Sequence, residues 1–129
     1  MLDRITCSDA PSARGPYSHA VRAGDFIYVS GQAAINPETN QPEHGTAAAE
    51  TRRTLENIKA ILNAAGADLS DVVKCSVFLT DIRDFVEMNE VYSEYFGDSK
   101  PARTTVQATL PVVGLKVEVD CVAYKPVAE

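Results

Sequence analysis

The sequence predicts an α/β (α+β) fold, one β-sheet with two helices packed on a single face, in the order ββαβαββ. Three observations carry this. The 129 residues are 45% hydrophobic and 23% charged, which suits one domain over residues 1–129 that buries roughly two-thirds of its unfolded surface. Two segments repeat apolar residues at helical spacing, and five others are β-branched or alternating. One of those strands is apolar on both sides, so both faces of the sheet need cover, while the chain offers helices for only one.

In chain order, His19–Arg22 and Phe26–Ser30 flank Ala23-Gly24-Asp25 and read as a hairpin. Asn36-Pro37-Glu38-Thr39-Asn40-Gln41-Pro42 is dense in turn formers and reads as a surface loop. Thr46 opens the first helix, Glu50 falls near its first turn, and Gly66 lies past its end. Ala47, Thr51, Leu55, Ile58, Leu62 and Ala65 mark its buried face, with Arg52, Arg53, Glu56 and Lys59 mostly opposite. Val72–Thr80 is the doubly apolar strand, with Val73, Cys75, Val77 and Leu79 on one side and Val72, Ser76 and Phe78 on the other. The second helix runs from about Phe85 to Phe96, with Phe85, Met88, Tyr92, Tyr95 and Phe96 along one side and Gly97 at its end. Strands Ala102–Leu110 and Leu115–Tyr124, joined by Pro111-Val112-Val113-Gly114, complete the chain. With no third helix, the second sheet face is expected to pack against another copy, making a homo-oligomer.

Charge and cysteine usage narrow the function classes. Twelve Lys and Arg against eighteen Asp and Glu give a net charge of −6. An acidic surface repels phosphate backbones, which argues against nucleic acid as a partner. Cys7, Cys75 and Cys121 form no CxxC and no paired framework, so reduced thiols in a reducing, cytoplasmic setting are expected. The N-terminal residues lack the apolar core of a secretory signal, and no apolar run is long enough to span a membrane. No GxGxxG, Walker loop, HExxH or GxSxG is present. His19 and His44 have no metal-ligand spacing, and packing roles are expected for them and for the three cysteines.

The last two strands carry the candidate chemistry. Arg103, Thr105, Gln107 and Thr109 share one face of their strand, and an Arg behind Pro101, followed by hydroxyl residues, is suited to hold a carboxylate bidentately. A surface cation is the equal alternative. Lys116, Glu118 and Asp120 alternate with Leu115, Val117, Val119 and Cys121. Periodicity alone favours a solvated edge for those three, although a mid-strand carboxylate is also what a site would use. Asn89, Tyr17 and Ser30-Gly31-Gln32 are ordinary as single residues: a helix position, a turn and a strand exit.

Taken together, four short motifs are specific. Gly15-Pro16-Tyr17-Ser18, Val29-Ser30-Gly31-Gln32, Asn57-Ile58-Lys59-Ala60-Ile61-Leu62 and Pro101-Ala102-Arg103 occur in that order, with Glu118 fifteen residues beyond the arginine. In order and spacing, from about Thr6 to Tyr124, the sequence resembles the RidA (YjgF) family of reactive-intermediate imine deaminases. The resemblance implies a chorismate-mutase-like mixed sheet assembled as a homotrimer, with sheets inside, helices outside and sites in the clefts between subunits. It implies hydrolysis of 2-imino acids and their enamine tautomers, such as 2-iminobutanoate and 2-iminopropanoate, to 2-oxo acids and ammonia, with no metal or organic cofactor. By the same resemblance, Arg103 binds the substrate carboxylate and Glu118 positions and activates water. Tyr17, Ser30, Gly31 and Asn89 line the pocket, and Thr105 offers main-chain contacts. Many members carry Cys where Thr105 stands, and Ser, Ala or Cys where Thr104 stands, which bears on which imine is preferred. The competing expectations are a non-catalytic module that binds small carboxylates and, disfavoured by charge, an RNA-cleaving protein.

Overall fold

The computed structural model describes residues 2–128. Its strands are β1 (Leu2–Ile5), β2 (Ala20–Ala23), β3 (Phe26–Ala33), β4 (Val72–Leu79), β5 (Ala102–Gln107) and β6 (Val117–Tyr124), and its helices are α1 (Ala47–Ala64) and α2 (Phe85–Phe96). They form one six-stranded mixed sheet in the spatial order β1-β2-β3-β6-β4-β5. Only β4 and β5 pair in parallel, because α2 carries the chain back to the same end of the sheet between them.

The hairpin, both helices and the last three strands lie where the sequence puts them, with shorter ends for β5 and β6. The first strand is an addition. Leu2–Ile5 is four residues long and has no fully buried side chain, so it leaves no alternating apolar pattern to read. It joins the sheet through backbone pairing with β2 alone.

One sheet face is packed by helices. Ile27, Val29, Cys75, Val77, Leu79, Val117, Val119 and Cys121 meet Leu55, Ile58, Ile61 and Leu62 of α1 and Met88, Tyr92 and Phe96 of α2. The Thr46 hydroxyl caps α1 by accepting the Ala49 N–H at 3.1 Å. Past its end Gly66 takes a positive φ of 83°, open to glycine at little cost. Two buried polar residues of α1 tie the helix to the sheet. Asn57 donates to the carbonyls of Ala33 and Ile35 at the exit of β3. Glu50, fully buried, accepts the Lys116 N–H at 2.6 Å and pairs with the Lys116 ammonium at 3.5 Å. Lys116 is therefore an internal partner, not one of three solvated edge charges.

Two β-bulges set which side chains face where. The first lies between Val72 and Lys74 in β4. It turns Val72 into the core and Val73 outward, at 44% exposed, which corrects the alternation expected for this strand. The second lies between Val29 and Gln32 in β3, opposite β6.

Among the described residues, no helix covers the other sheet face. Phe26, Tyr28, Val106 and Tyr124 stand exposed on it, and Phe78 and Val122 are half-buried. Among the described residues, no helix is long and apolar enough to cross a membrane.

Candidate functional site

The bulge at Ser30-Gly31 opens a place for the side chain of Glu118. In the register of β3 with β6, Glu118 pairs with Ala33 on the helix-free face, and its carboxylate folds back over the bulge. A Cβ on Gly31 would lie 2.6 Å from Glu118 Oε2, so a side chain there would push the carboxylate aside. Ser30 fixes the bulge from the other side. Its hydroxyl donates to the Ser18 carbonyl at 2.6 Å, and its N–H donates to the His19 carbonyl at 3.0 Å. Ser30 thus shapes the wall with its hydroxyl already engaged.

Tyr17, Pro111 and Gly31 surround the carboxylate, and the cleft widens past Arg14, Ile35 and Val112 to about 370 Å³. Tyr17 is held in place when its hydroxyl accepts the Arg14 N–H at 3.0 Å. His19 has a scaffolding role: Nδ1 accepts the Cys7 N–H at 2.9 Å and Nε2 donates to the Pro11 carbonyl at 2.7 Å. Glu118 has no hydrogen-bond or ionic partner among the described residues. Partial burial, with a smaller contribution from the negative Asp120 on the same strand, pushes its carboxyl above the ordinary glutamate range.

Arg103 lies elsewhere. It pairs with Cys75 across the β4–β5 ladder and so faces the helices, whereas Glu118, paired with Phe78, faces away from them. The Arg103 guanidinium carbon lies 4.7 Å from the centre of the Tyr92 ring and 5.5 Å from that of Phe85. Among the described residues, no carboxylate pairs with it. Asn89 stands between these two aromatics on the same side of α2, four residues after Phe85 and three before Tyr92. Thr105 follows Arg103 on the same side of β5, and its hydroxyl oxygen is buried without a partner.

Within one protomer the residues singled out from the sequence therefore fall into two groups. Tyr17, Ser30, Gly31 and Glu118 gather at the bulge, and Asn89, Arg103 and Thr105 gather at the β5 edge. Opposite faces of the sheet separate them. Sequence reasoning missed Phe85 and Tyr92 as the setting of Arg103. The signal was present as aromatics seven residues apart on one helix face, but that spacing is also what core packing produces. Pro111 and Arg14 were missed too, because loop residues carry no periodicity.

Among the described residues, nothing else assembles a reactive centre. Cys75 and Cys121 are paired across β4 and β6, both buried, and burial pushes both thiols up, away from the nucleophilic thiolate. Among the described residues, no group of three His, Cys, Asp or Glu side chains is placed to hold a metal ion.

Comparison with known proteins gives concordant matches. Residues 7–125 match the family described as Endoribonuclease L-PSP. A RutC family protein of Pyrococcus abyssi is 52% identical over 121 residues, covering 94% of this chain and 95% of the relative. A 2-iminobutanoate/2-iminopropanoate deaminase of Bos taurus is 44% identical, covering 94% of this chain and 88% of the relative. The crystal structure of RidA from an Antarctic Psychrobacter superposes with a TM-score of 0.90 at 43% identity, over 95% of this chain and 98% of that one.

The Gly31 contact yields a stability test. Gly31→Ala is expected to lower the unfolding free energy by only about 1 kcal/mol, because the new methyl displaces the mobile end of the Glu118 side chain. In chemical denaturation, adding Glu118→Ala should recover part of that loss, giving a favourable coupling between the two sites. Strictly additive effects would show that the contact does not govern the bulge.

Proposed function

Because the chain belongs to the RidA (YjgF) family, we propose that it hydrolyses short 2-imino acids to 2-oxo acids and ammonia, in clefts formed between copies of the chain. The single observation that carries this reading is the separation of two complementary half-sites. One protomer offers an uncompensated guanidinium at the edge of β5 and an unpartnered carboxylate on the bare face beside β3. Neither half can hold and hydrate a substrate alone. A second copy, packed on the exposed Phe26, Tyr28, Val106 and Tyr124, brings Arg103 of one chain to Glu118 of the next. Repeated head to tail, such a contact closes into a ring, and the homotrimer implied by the family resemblance has that symmetry.

The chemistry asks for little more. Arg103 binds the substrate carboxylate through two parallel N–H donors, which fixes the plane of the imine. A protonated imine is already a strong electrophile, so orientation and one base suffice, and the reaction requires no metal or organic cofactor. Glu118 takes a proton from water as the water oxygen bonds to C2, and the C=N π pair moves to nitrogen. Glu118 gives that proton to the carbinolamine nitrogen and then accepts the hydroxyl proton as the carbonyl forms and the C–N bond breaks. Ammonia leaves with the 2-oxo acid and takes the last proton from Glu118 as ammonium. Tyr17 and Gly31 bound the water's side of the cleft, while Asn89 and Thr105 bound the carboxylate's side. The bovine relative supports this class of substrate. The net charge of −6 supports a small metabolite over a phosphodiester backbone.

Coupled to a threonine dehydratase, the wild-type protein should speed the decay of 2-iminobutanoate, and Arg103→Ala should lower that rate by about a hundredfold or more through loss of the charge-assisted pair. Undiminished turnover in the variant contradicts the mechanism. Saturable 2-oxo acid binding without turnover in the wild type favours the non-catalytic alternative.

The raised carboxyl of Glu118 sets the pH dependence. A group shifted upward holds its proton to higher pH, so the basic form is lost as pH falls through that raised value. The acid limb of kcat/KM should therefore lie above the ordinary glutamate range, and Asp120→Asn should move it lower by removing a neighbouring negative charge. An acid limb unchanged by Asp120→Asn would contradict the assignment of Glu118 as the base.

A further inference from the structure

The guanidinium of Arg103 has no anionic partner among the described residues, yet it is not free. Its carbon lies 4.7 Å from the Tyr92 ring centre and 5.5 Å from that of Phe85. The two rings are seven residues apart on α2 and face the edge of β5 from one side of the helix. Of the two, Tyr92 is the fixed element. It is buried, packs against Phe96 with ring centres 4.5 Å apart, and belongs to the main core, whereas Phe85 is more than one-third exposed.

An arginine can be held still in two ways. A carboxylate does so by occupying its N–H donors and cancelling its charge, which leaves little for a ligand. An aromatic face does so through the ring quadrupole, leaving all five N–H donors at the rim and the charge intact. This chain uses the second way. We propose that Tyr92 is a positioning residue for Arg103: the face of its ring orients the guanidinium so that its donors meet a substrate carboxylate in a fixed plane. This rests on the reading of Arg103 as the carboxylate clamp.

The hydroxyl of Tyr92 takes no part. It is buried against the Cys75 thiol, and burial together with that contact pushes its ionisation far above the ordinary tyrosine value, so the ring stays neutral. Nor does the hydroxyl offer itself to a substrate, because it reaches inward toward Cys75, beneath the sheet.

The test is the calorimetric dissociation constant of 2-oxobutanoate, with imine turnover measured alongside. Tyr92→Leu should weaken binding by about tenfold, and restoring a ring with Tyr92→Phe should recover the affinity to within about threefold. Trifluorophenylalanine at position 92 keeps the shape of the ring but depletes its face of electron density. It should bind several-fold more weakly than Tyr92→Phe, and the difference should vanish in an Arg103→Ala background. Equal affinity for the fluorinated and unfluorinated rings would overturn the proposal, because only packing would then matter. A loss in Tyr92→Phe as large as in Tyr92→Leu would overturn it by assigning the role to the hydroxyl. A wild type that binds 2-oxobutanoate through Arg103 but is indifferent to the ring defeats this inference alone. A wild type that neither binds 2-oxobutanoate nor hydrolyses the imine defeats the underlying reading as well.

Discussion

The two helices of this chain shield one face of a six-stranded sheet, and the face they leave bare carries an aromatic rim and a half-buried carboxylate. Exposed large side chains such as Tyr28 and Tyr124 are costly to leave in water, so the bare face favours association. The same face places Glu118 where an associating surface would partly exclude solvent. Packing and chemistry are thus linked through one strand. In β6, Val117, Val119 and Cys121 build the core while Glu118 and Asp120, between them, point to the other side.

The two charged groups of the proposed reaction are held in place without being neutralised. Glu118 sits over a backbone bulge, in the space left by Gly31, with no cation beside it among the described residues. Arg103 rests on aromatic faces rather than on an acid. Contrast Glu50 and Lys116, a buried carboxylate and a partly exposed ammonium that compensate each other and tie α1 to the start of β6. Pairing serves the scaffold, and the unpaired charges are the ones the proposed reaction uses. A hydrophobic replacement at Glu50 would leave the Lys116 N–H without its acceptor, which is the usual cost of breaking a buried polar contact.

The sequence made the helices legible because their signals are redundant. For α1, a capping threonine, a buried stripe and a terminal glycine agree, and the element begins one residue after Thr46. The sheet was legible in number and order for its inner strands, whose apolar alternation reports burial. β1 was not, since a four-residue edge strand with only Ile5 partly buried leaves no alternating trace. Nor was the facing of Val72 and Val73, because a bulge shifts alternation by one residue without a compositional mark. At the site, motif order pointed to Arg103 and Glu118. Strand parity alone could not show that they face opposite sides, since that depends on how β5 and β6 each register against β4. The setting of Arg103 by Tyr92 was hidden for a further reason: a core aromatic and an aromatic that supports a cation look alike in sequence.

The central claim is that a working site takes Arg103 from one copy and Glu118 from another. The direct measurement is to co-refold differently tagged Arg103→Ala and Glu118→Gln chains, each inactive alone, and assay the mixed assemblies for imine hydrolysis. In a randomly mixed trimeric ring, each mixed assembly regains one intact cleft, so activity should return to about a quarter of the wild-type value. Mixed assemblies that form but stay inactive would contradict the claim and require both groups to act within a single chain.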